Sequence, residues 1–160
     1  MTDRPDSGDK APAFALPTDT LGSGAGSLAM KNLKGQTVVL YFYPKDNTSG
    51  CTKQAEGFRD AIADFTAAGA VVVGVSPDSV KSHDKFKAKF DLPFALVSDE
   101  DKTLCQAYGV WVKKSMYGRK YMGVERSTFI IDGKGKICGA WRKVKVPGHV
   151  EVVLDAVKAL

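Results

Sequence analysis

The sequence predicts an α/β protein in which helices cover both faces of a central mixed β-sheet. Two apolar runs rich in β-branched residues, Thr37–Tyr43 and Val71–Val75, are typical of strands buried on both faces. Segments with apolar residues at helical spacing follow each run, which favours parallel strands joined by helices. Two later strand-like runs flank the turn Asp132–Gly135, so an antiparallel pair is expected in the same sheet.

The other elements follow from local patterns along the chain. The polar N-terminus, residues 1–10, is expected to be a loose tail, and the whole chain, 1–160, a single domain. From there we predict a small hairpin as an N-terminal β extension within 14–27, and helices over 51–68 and about 79–90. A strand over 94–97, a helix over about 104–108 and a long connection over 109–125 are expected next. The last helix is expected to carry Val150, Val153, Leu154, Val157 and Leu160 on its inner face. This order is that of a thioredoxin-like fold with an insertion.

The composition is that of a globular protein. The 160 residues are 44% hydrophobic and 26% charged, and no run approaches the roughly 18 apolar residues of a membrane span. The N-terminus lacks the apolar core of a secretory signal. Three cysteines without a CxxC motif favour a reducing compartment, so a cytoplasmic location is expected.

The chain is basic, with a net charge of +5. Several of the basic residues lie among aromatic ones between residues 111 and 121, a mixture that nucleic-acid-binding proteins also use. No nucleic-acid-binding motif accompanies it, so we interpret the segment as a solvated surface. Such a surface suits the steering of anionic substrates or of an acidic protein partner.

Cys51 is the main candidate for chemistry. It directly follows the strand and loop that end in Ser49-Gly50 and directly precedes an amphipathic helix. Unpaired N–H groups and the positive end of the helix dipole favour thiolate over thiol at that position. The Thr48 hydroxyl is expected beside the sulfur, Gly50 allows close approach of the backbone, and Pro44 walls the pocket against water.

These residues form the pattern Pro44-x-x-x-Thr48-x-x-Cys51, which resembles the active-site motif of the peroxiredoxins. The string Tyr41–Thr52 is similar to the bacterioferritin comigratory protein (peroxiredoxin Q) subfamily, and the similarity extends from about residue 8 to the C-terminus through Leu96–Asp101, Tyr108–Trp111, Met116–Gly118 and Glu125–Asp132. The resemblance implies that Arg126 contacts the sulfur and the peroxide. Gln54 is expected to orient Arg126, or else to be an ordinary polar residue in the first turn of the helix.

The chain departs from the family pattern at the resolving cysteine, the second thiol that forms a disulfide with the oxidised reactive cysteine. Family members carry it either five residues after the reactive cysteine, here Glu56, or on the next helix, at a position that aligns with Lys87. Cys105 and Cys138 are the remaining thiols. We interpret Cys105 as buried and inert, and Cys138 as a strand residue that faces outward and is a weaker candidate for an intermolecular disulfide.

Other cofactor sites are not indicated by the sequence. His83 and His149 have no Cys, Asp or Glu at metal-ligand spacing, so no metal site and no catalytic triad is expected. The absence of a P-loop and of GxGxxG leaves nucleotide binding unsupported.

The leading hypothesis is therefore a thiol peroxidase that reduces hydrogen peroxide and organic hydroperoxides through a sulfenic acid on Cys51, without a cofactor. An external thiol, such as thioredoxin, glutaredoxin or a glutathione-type thiol, is expected to reduce that acid. The resemblance implies a monomer. Two alternatives remain at this stage: a monothiol thiol-disulfide transferase, and a non-enzymatic redox-sensing or chaperone-like module.

Overall fold

The computed structural model describes residues 4–21 and 26–160. Within these ranges the strands are β1 (Ala15–Pro17), β2 (Ser27–Ala29), β3 (Thr37–Phe42), β4 (Ala70–Ser76), β5 (Ala95–Ser98), β6 (Trp111–Met116), β7 (Arg119–Val124), β8 (Ser127–Ile131) and β9 (Ile137–Trp141). The α-helices are α1 (Ser49–Asp60), α2 (Ile62–Ala67), α3 (Val80–Phe90), α4 (Thr103–Ala107) and α5 (His149–Lys158), and a short 3₁₀ helix spans Met30–Leu33. None of the helices in the described ranges is long and apolar enough to cross a bilayer.

The central sheet has five strands in the order β5-β4-β3-β8-β9. Strands β3, β4 and β5 are parallel, whereas β8 pairs antiparallel with β3 and β9 antiparallel with β8. The mixed sheet and its antiparallel pair confirm the thioredoxin-like prediction. Because β3 lies in the middle, the loop that follows it opens at the centre of one sheet edge, where ligand sites of open α/β sheets usually lie.

Alternate side chains of β3 supply the two halves of the core. Val39 and Tyr41 belong to the cluster on the side of α1, α3 and α5, whereas Val38, Leu40 and Phe42 belong to the cluster on the side of α4. All five are at most 2% exposed, as expected for a strand between two helical layers. The strand therefore holds the start of α1 against a rigid, fully packed support.

The N-terminal segment differs from the loose tail that we expected. Among residues 4–10, the Gly8 N–H donates to the Ile137 carbonyl, and the Ile137 N–H donates to the Asp9 carbonyl. The backbone of Lys10 also forms an isolated antiparallel β-bridge with Lys136. These bonds cover the start of β9, so the segment is part of the folded structure; residues 1–3 lie outside the described ranges. The predicted hairpin is present as β1 paired with β2, although residues 22–25 between them are not described.

Three further boundaries differ from the prediction. Residues 109–125, which we assigned to a long connection, form the antiparallel hairpin β6–β7, a separate two-stranded sheet. The helix predicted over 51–68 is divided at Ala61, whose φ of −98° and ψ of 5° leave the helical range and redirect the chain so that Phe65 packs on Phe58. Leu160 is exposed because α5 ends before it.

Candidate active site

Cys51 lies in the first turn of α1, directly beyond the end of β3. Helix α1 begins at Ser49, so the N–H groups of Ser49, Gly50 and Cys51 have no carbonyl one turn earlier within the helix. These donors and the helix dipole create a positive potential at the sulfur. Only 1% of Cys51 is exposed, so the thiol is buried rather than on the surface.

Arg126 approaches the Cys51 sulfur from the start of β8, the strand next to β3. Strand β8 pairs with β3 so that Ser127 faces Phe42, and this register brings the residue before β8 to the end of β3. The Arg126 Nη2 lies 3.4 Å from the Cys51 Sγ, and its Nη1 donates to the Gln54 Oε1 at 2.7 Å. Cys51 and Gln54 share a face of α1 because they are three residues apart. The predicted trio is thus brought together, with Gln54 buried and positioning the guanidinium.

The other residues of the motif shape the mouth of the pocket. A Cβ on Gly50 would lie 3.3 Å from the Arg126 Nη2, so glycine at this position leaves room for the guanidinium. The Thr48 hydroxyl, which we expected beside the sulfur, donates to the Lys45 carbonyl at 2.9 Å. That bond tightens the loop before the helix, whose first bond runs from the Thr52 N–H to the Thr48 carbonyl. Pro44 is half-buried in the same loop.

Sequence reasoning missed Tyr41, which is fully buried beside the site. Burial, together with the charges of Cys51 and Asp46, raises the pKa of Tyr41 well above its usual value, while Arg126 acts in the opposite direction. Its hydroxyl and the Gln54 Nε2 have no hydrogen-bond partner in the described part of the chain. The signal was a tyrosine in an aliphatic strand, since a buried phenol generally needs a partner.

Sequence reasoning also missed a buried polar network behind the loop. Asp46 accepts hydrogen bonds from the Tyr43 hydroxyl at 2.6 Å and the Ser82 hydroxyl at 2.8 Å. Ligand-type atoms of Asp46, Asp78 and His83 lie within 4.8 Å of one another, a cluster that the spacing along the chain did not reveal. Its polar atoms already satisfy one another: the Asp46 N–H donates to Asp78, and Asp46 accepts from His83. The network ties the active-site loop to α3.

The surroundings of His83 favour its imidazolium form, because each ring nitrogen faces an acceptor. Nδ1 lies 2.7 Å from the Asp46 Oδ2, and Nε2 lies 2.9 Å from the Val97 carbonyl oxygen. Burial alone lowers the pKa of His83, but the hydrogen bond to Asp46 and its charge outweigh burial. The Val97 carbonyl and the charge of Asp78 act in the same direction, so the net pKa is raised.

This ion pair predicts a pH-dependent stability. A raised pKa in the folded state means that the stabilisation is complete below about pH 6.5 and is lost as pH rises through the folded-state pKa. We expect His83→Gln to lower the free energy of unfolding by about 1.5–3 kcal/mol near pH 6, and by less near pH 9. Urea unfolding of both proteins across this range measures the difference.

His149 provides the matched control for this measurement. Burial and the charge of Arg126 lower its pKa to about 4, and its Nε2 lies 2.8 Å from the Thr128 hydroxyl. In the unfolded chain its pKa returns to about 6.5, so His149 makes stability rise with pH up to that value, and the loss of stability in His149→Gln should be smaller near pH 6 than near pH 9. The two variants should therefore show opposite pH dependences, and a His83→Gln effect that is constant or grows from pH 6 to pH 9 would refute the imidazolium assignment.

The two positions where the family resemblance predicts a resolving cysteine hold charged residues in ion pairs. Glu56 is half-buried on α1 and lies 3.8 Å from the Arg59 guanidinium. Lys87 is buried on α3, where its Nζ lies 2.8 Å from the Asp19 Oδ2. Asp19 is also buried, and its other carboxylate oxygen accepts the Leu96 N–H. The Lys87–Asp19 pair fastens α3 to the N-terminal hairpin.

The two other cysteines lie in settings that suppress reactivity. Cys105 belongs to the core cluster on the opposite face of the sheet from Cys51, and burial and Asp99 raise its pKa strongly. Cys138 is half-buried in β9 and packs against the core, so the expectation that it faces outward is only partly met. Burial raises the pKa of Cys138 as well. Both sulfurs are therefore held as neutral thiols, which are poor nucleophiles.

A thiol held by a helix N-terminus and a guanidinium, at the end of a central strand, matches a known protein class. The family model described as the AhpC/TSA family matches residues 7–139. The chain belongs to this family and is a thiol peroxidase. Membership decides among the three hypotheses in favour of the peroxidase.

The relatives place the chain in the peroxiredoxin Bcp, or peroxiredoxin Q, group. It is 46% identical over 151 residues to peroxiredoxin Bcp of Bacillus subtilis, with 94% of each chain covered. It is 48% identical over 149 residues to peroxiredoxin Bcp of Xanthomonas campestris, covering 93% of this chain and 92% of that protein.

Solved structures agree with this placement. Peroxiredoxin Q of Xanthomonas campestris matches with a TM-score of 0.87 at 45% identity, covering 96% of this chain and 98% of that chain. A cysteine-to-serine variant of Xylella fastidiosa PrxQ matches with a TM-score of 0.90 at 42% identity, covering 99% and 98%. A further structure of the Xanthomonas campestris protein concerns its alkyl peroxide reduction activity.

Proposed function

We propose that this chain is a one-cysteine peroxidase in which Cys51 reduces hydrogen peroxide and organic hydroperoxides and an external thiol completes the cycle. The observation that carries the assignment of the site is the 3.4 Å contact between the Arg126 guanidinium and the Cys51 sulfur at the start of α1. Both the guanidinium and the helix N-terminus stabilise the thiolate, which is the nucleophile.

The same groups stabilise the charge that develops during the reaction. The Cys51 thiolate attacks the terminal peroxide oxygen, the O–O bond breaks, and the departing oxygen takes a proton and leaves as water or an alcohol. The N–H groups at the start of α1 and the Arg126 guanidinium face the sulfur, where they can donate to the two oxygens. The Tyr41 hydroxyl and the Gln54 Nε2, to which no other group among residues 4–21 and 26–160 is hydrogen-bonded, are further polar atoms near this pair. Pro44 and Thr48 keep the loop closed around the pocket.

The one-cysteine cycle follows from what occupies the two resolving positions. In the Xanthomonas campestris protein, cysteine-to-serine variants have been solved at two positions, and the same separation counted from Cys51 leads to Lys87. Neither Cys105 nor Cys138 is a suitable substitute. Cys105 lies across the sheet. Cys138 lies at the start of β9, beside Ile130 and Ile131 of β8, which pair with the start of β3, whereas Cys51 follows the other end of β3.

Mass spectrometry tests this cycle directly. One equivalent of hydrogen peroxide should leave a sulfenic acid on Cys51 that dimedone traps, with no loss of two hydrogens from the intact mass. Quantitative formation of a Cys51–Cys105 or Cys51–Cys138 disulfide would contradict the proposal. Three cysteines without a CxxC motif suit a reducing compartment, so we propose that the protein acts in the cytoplasm, as a monomer.

A further inference from the structure

The hairpin β6–β7 combines positive charge with exposed apolar side chains. Between residues 111 and 124 there are four cations and no acidic residue. Its tip and outer strand also expose four large hydrophobic side chains, Met116, Tyr117, Tyr121 and Met122. Single exposed hydrophobic residues are ordinary, but four on one short hairpin form a patch of the kind that marks interaction sites.

One face of this hairpin has a defined composition. In the strand register Lys114 is opposite Tyr121, and Met116 is opposite Arg119. Each cross-strand pair thus joins one cation to one large apolar side chain. Side chains on alternate residues share a face, so these four residues form a continuous surface, which we call the Lys114 face. Tyr121 is 44% exposed and Met116 55% exposed.

The Lys114 face lies next to the reactive sulfur. Burial and the charge of Arg126 lower the pKa of Lys114, while the charge of Cys51 acts in the opposite direction. The geometry agrees, because the Lys114 side chain packs over Gly123, where a Cβ would lie 3.2 Å from the Lys114 Cδ, and Gly123 is only three residues before Arg126. The chain connectivity agrees, because β7 ends at Val124 and a single residue separates it from Arg126. The Lys114 end of the face therefore lies beside the active site.

We infer that the Lys114 face is the docking surface for an acidic dithiol protein that reduces oxidised Cys51. This inference rests on the proposed one-cysteine function, which requires an external reductant. A peroxide is too small to need such a surface. A protein reductant does need one, because the sulfur is buried and contacts beyond it must hold the partner at the pocket mouth.

The composition of the face suits that partner. Tyrosine, methionine and arginine are enriched in protein–protein interfaces, where they supply contact area. Cations around them attract an acidic surface, raise the association rate and disfavour basic partners. The chain as a whole is also basic, with a net charge of +5, so long-range attraction and local contacts act in the same direction.

The reduction that follows docking is a balanced two-step exchange. A thiolate of the partner attacks the Cys51 sulfur, an S–S bond forms, and the S–O bond breaks with release of water after protonation. The second thiol of the partner then attacks the partner's first sulfur, which is bonded to Cys51 in the mixed disulfide, and Cys51 leaves as the thiolate. The partner is oxidised to a disulfide and the sulfenic acid is reduced to the thiol.

Paired variants on the two faces of the hairpin test the inference. The test variant is Met116→Ser with Arg119→Glu, a cross-strand pair on the Lys114 face. The control is Met122→Ser with Lys113→Glu, a cross-strand pair of the same composition on the opposite face. Stopped-flow measurements follow oxidation by hydrogen peroxide and then reduction of the oxidised protein, either by a thioredoxin of acidic net charge or by dithiothreitol.

We expect the test variant to lose about tenfold in the second-order rate constant with thioredoxin, and the loss to shrink as salt is added. The control variant should change little, and both should react normally with peroxide and with dithiothreitol. Equal losses in both variants, or a loss with dithiothreitol as well, would overturn the docking surface. Failure of the unaltered protein to react with peroxide would instead overturn the proposed function.

Sedimentation at the assay concentration tests whether a second copy of this chain, rather than a reductant, covers the Lys114 face. If the unaltered protein is a dimer and the test variant a monomer, the Lys114 face joins two copies of this chain, and the inference is wrong. A monomer in every case, together with the kinetic difference, supports it.

Discussion

Replacing Cys51 by serine is expected to abolish peroxide consumption. The serine hydroxyl is not ionised at neutral pH and cannot replace the thiolate as nucleophile, whatever stabilisation the helix N-terminus and Arg126 offer. Serine is close to cysteine in size, so the fold around this buried position is expected to remain. Consumption of hydrogen peroxide, followed with dithiothreitol as the reductant, measures the loss.

The other thiols supply the control for this prediction. Cys138→Ser removes a half-buried sulfur from β9 and is expected to leave consumption unchanged. Far-ultraviolet circular dichroism of each variant separates loss of activity from loss of the fold. Turnover retained by Cys51→Ser would remove the basis of the assignment.

Replacing Arg126 by alanine should slow the oxidation of Cys51 by about 10²- to 10³-fold. The substitution removes the donor that lies 3.4 Å from the sulfur. It also leaves the buried Gln54 Oε1 without its hydrogen bond from Nη1. Stopped-flow oxidation measures the rate, and the pH dependence of iodoacetamide alkylation measures how much of the thiol is ionised at each pH.

Lysine at the same position separates charge from geometry. Arg126→Lys keeps a positive charge but cannot bond Gln54 and the sulfur with a rigid planar fork. We expect the pH dependence of its alkylation to lie close to that of the unaltered protein. Its oxidation rate should lie between the rates of the unaltered protein and of Arg126→Ala. An alkylation profile that is the same with alanine as with arginine would show that Arg126 does not stabilise the thiolate.

The parts of the fold that the sequence predicts well are those with a strong local signal. Strands β3 and β4 are continuous apolar runs because both of their faces are covered, and no helical pattern competes with them. The start of α1 was also placed to within two residues. These elements depend on burial periodicity, which is visible without tertiary contacts.

The hairpin β6–β7 was missed for a physical reason. Its two-residue loop, Tyr117-Gly118, has positive φ at both positions, 52° and 76°, as type I′ hairpin turns require. Asparagine, aspartate or glycine is usual at the first of these positions, so tyrosine hides the signal. Most of the hairpin is also exposed, so the burial alternation that identifies a strand is weak.

The candidate site divides in the same way. Thr48, directly before α1, and Gln54, within it, each lie three residues from Cys51, so spacing alone relates them to it. Arg126 required the family resemblance, because a strand register brings it to Cys51 from 75 residues away. The bond between Asp46 and His83 depends on how α3 packs against the loop, and no local pattern contains that information.

The buried Lys87–Asp19 pair has a consequence for the history of this chain. A change of Lys87 to cysteine alone would leave the Asp19 carboxylate buried without its cation, at a cost of about 3–5 kcal/mol. That is a large part of the total stability of an ordinary domain, about 5–15 kcal/mol. Position 87 can therefore exchange its lysine for a thiol only after, or together with, a change at position 19. The ion pair therefore makes the effects of substitutions at positions 19 and 87 on stability non-additive.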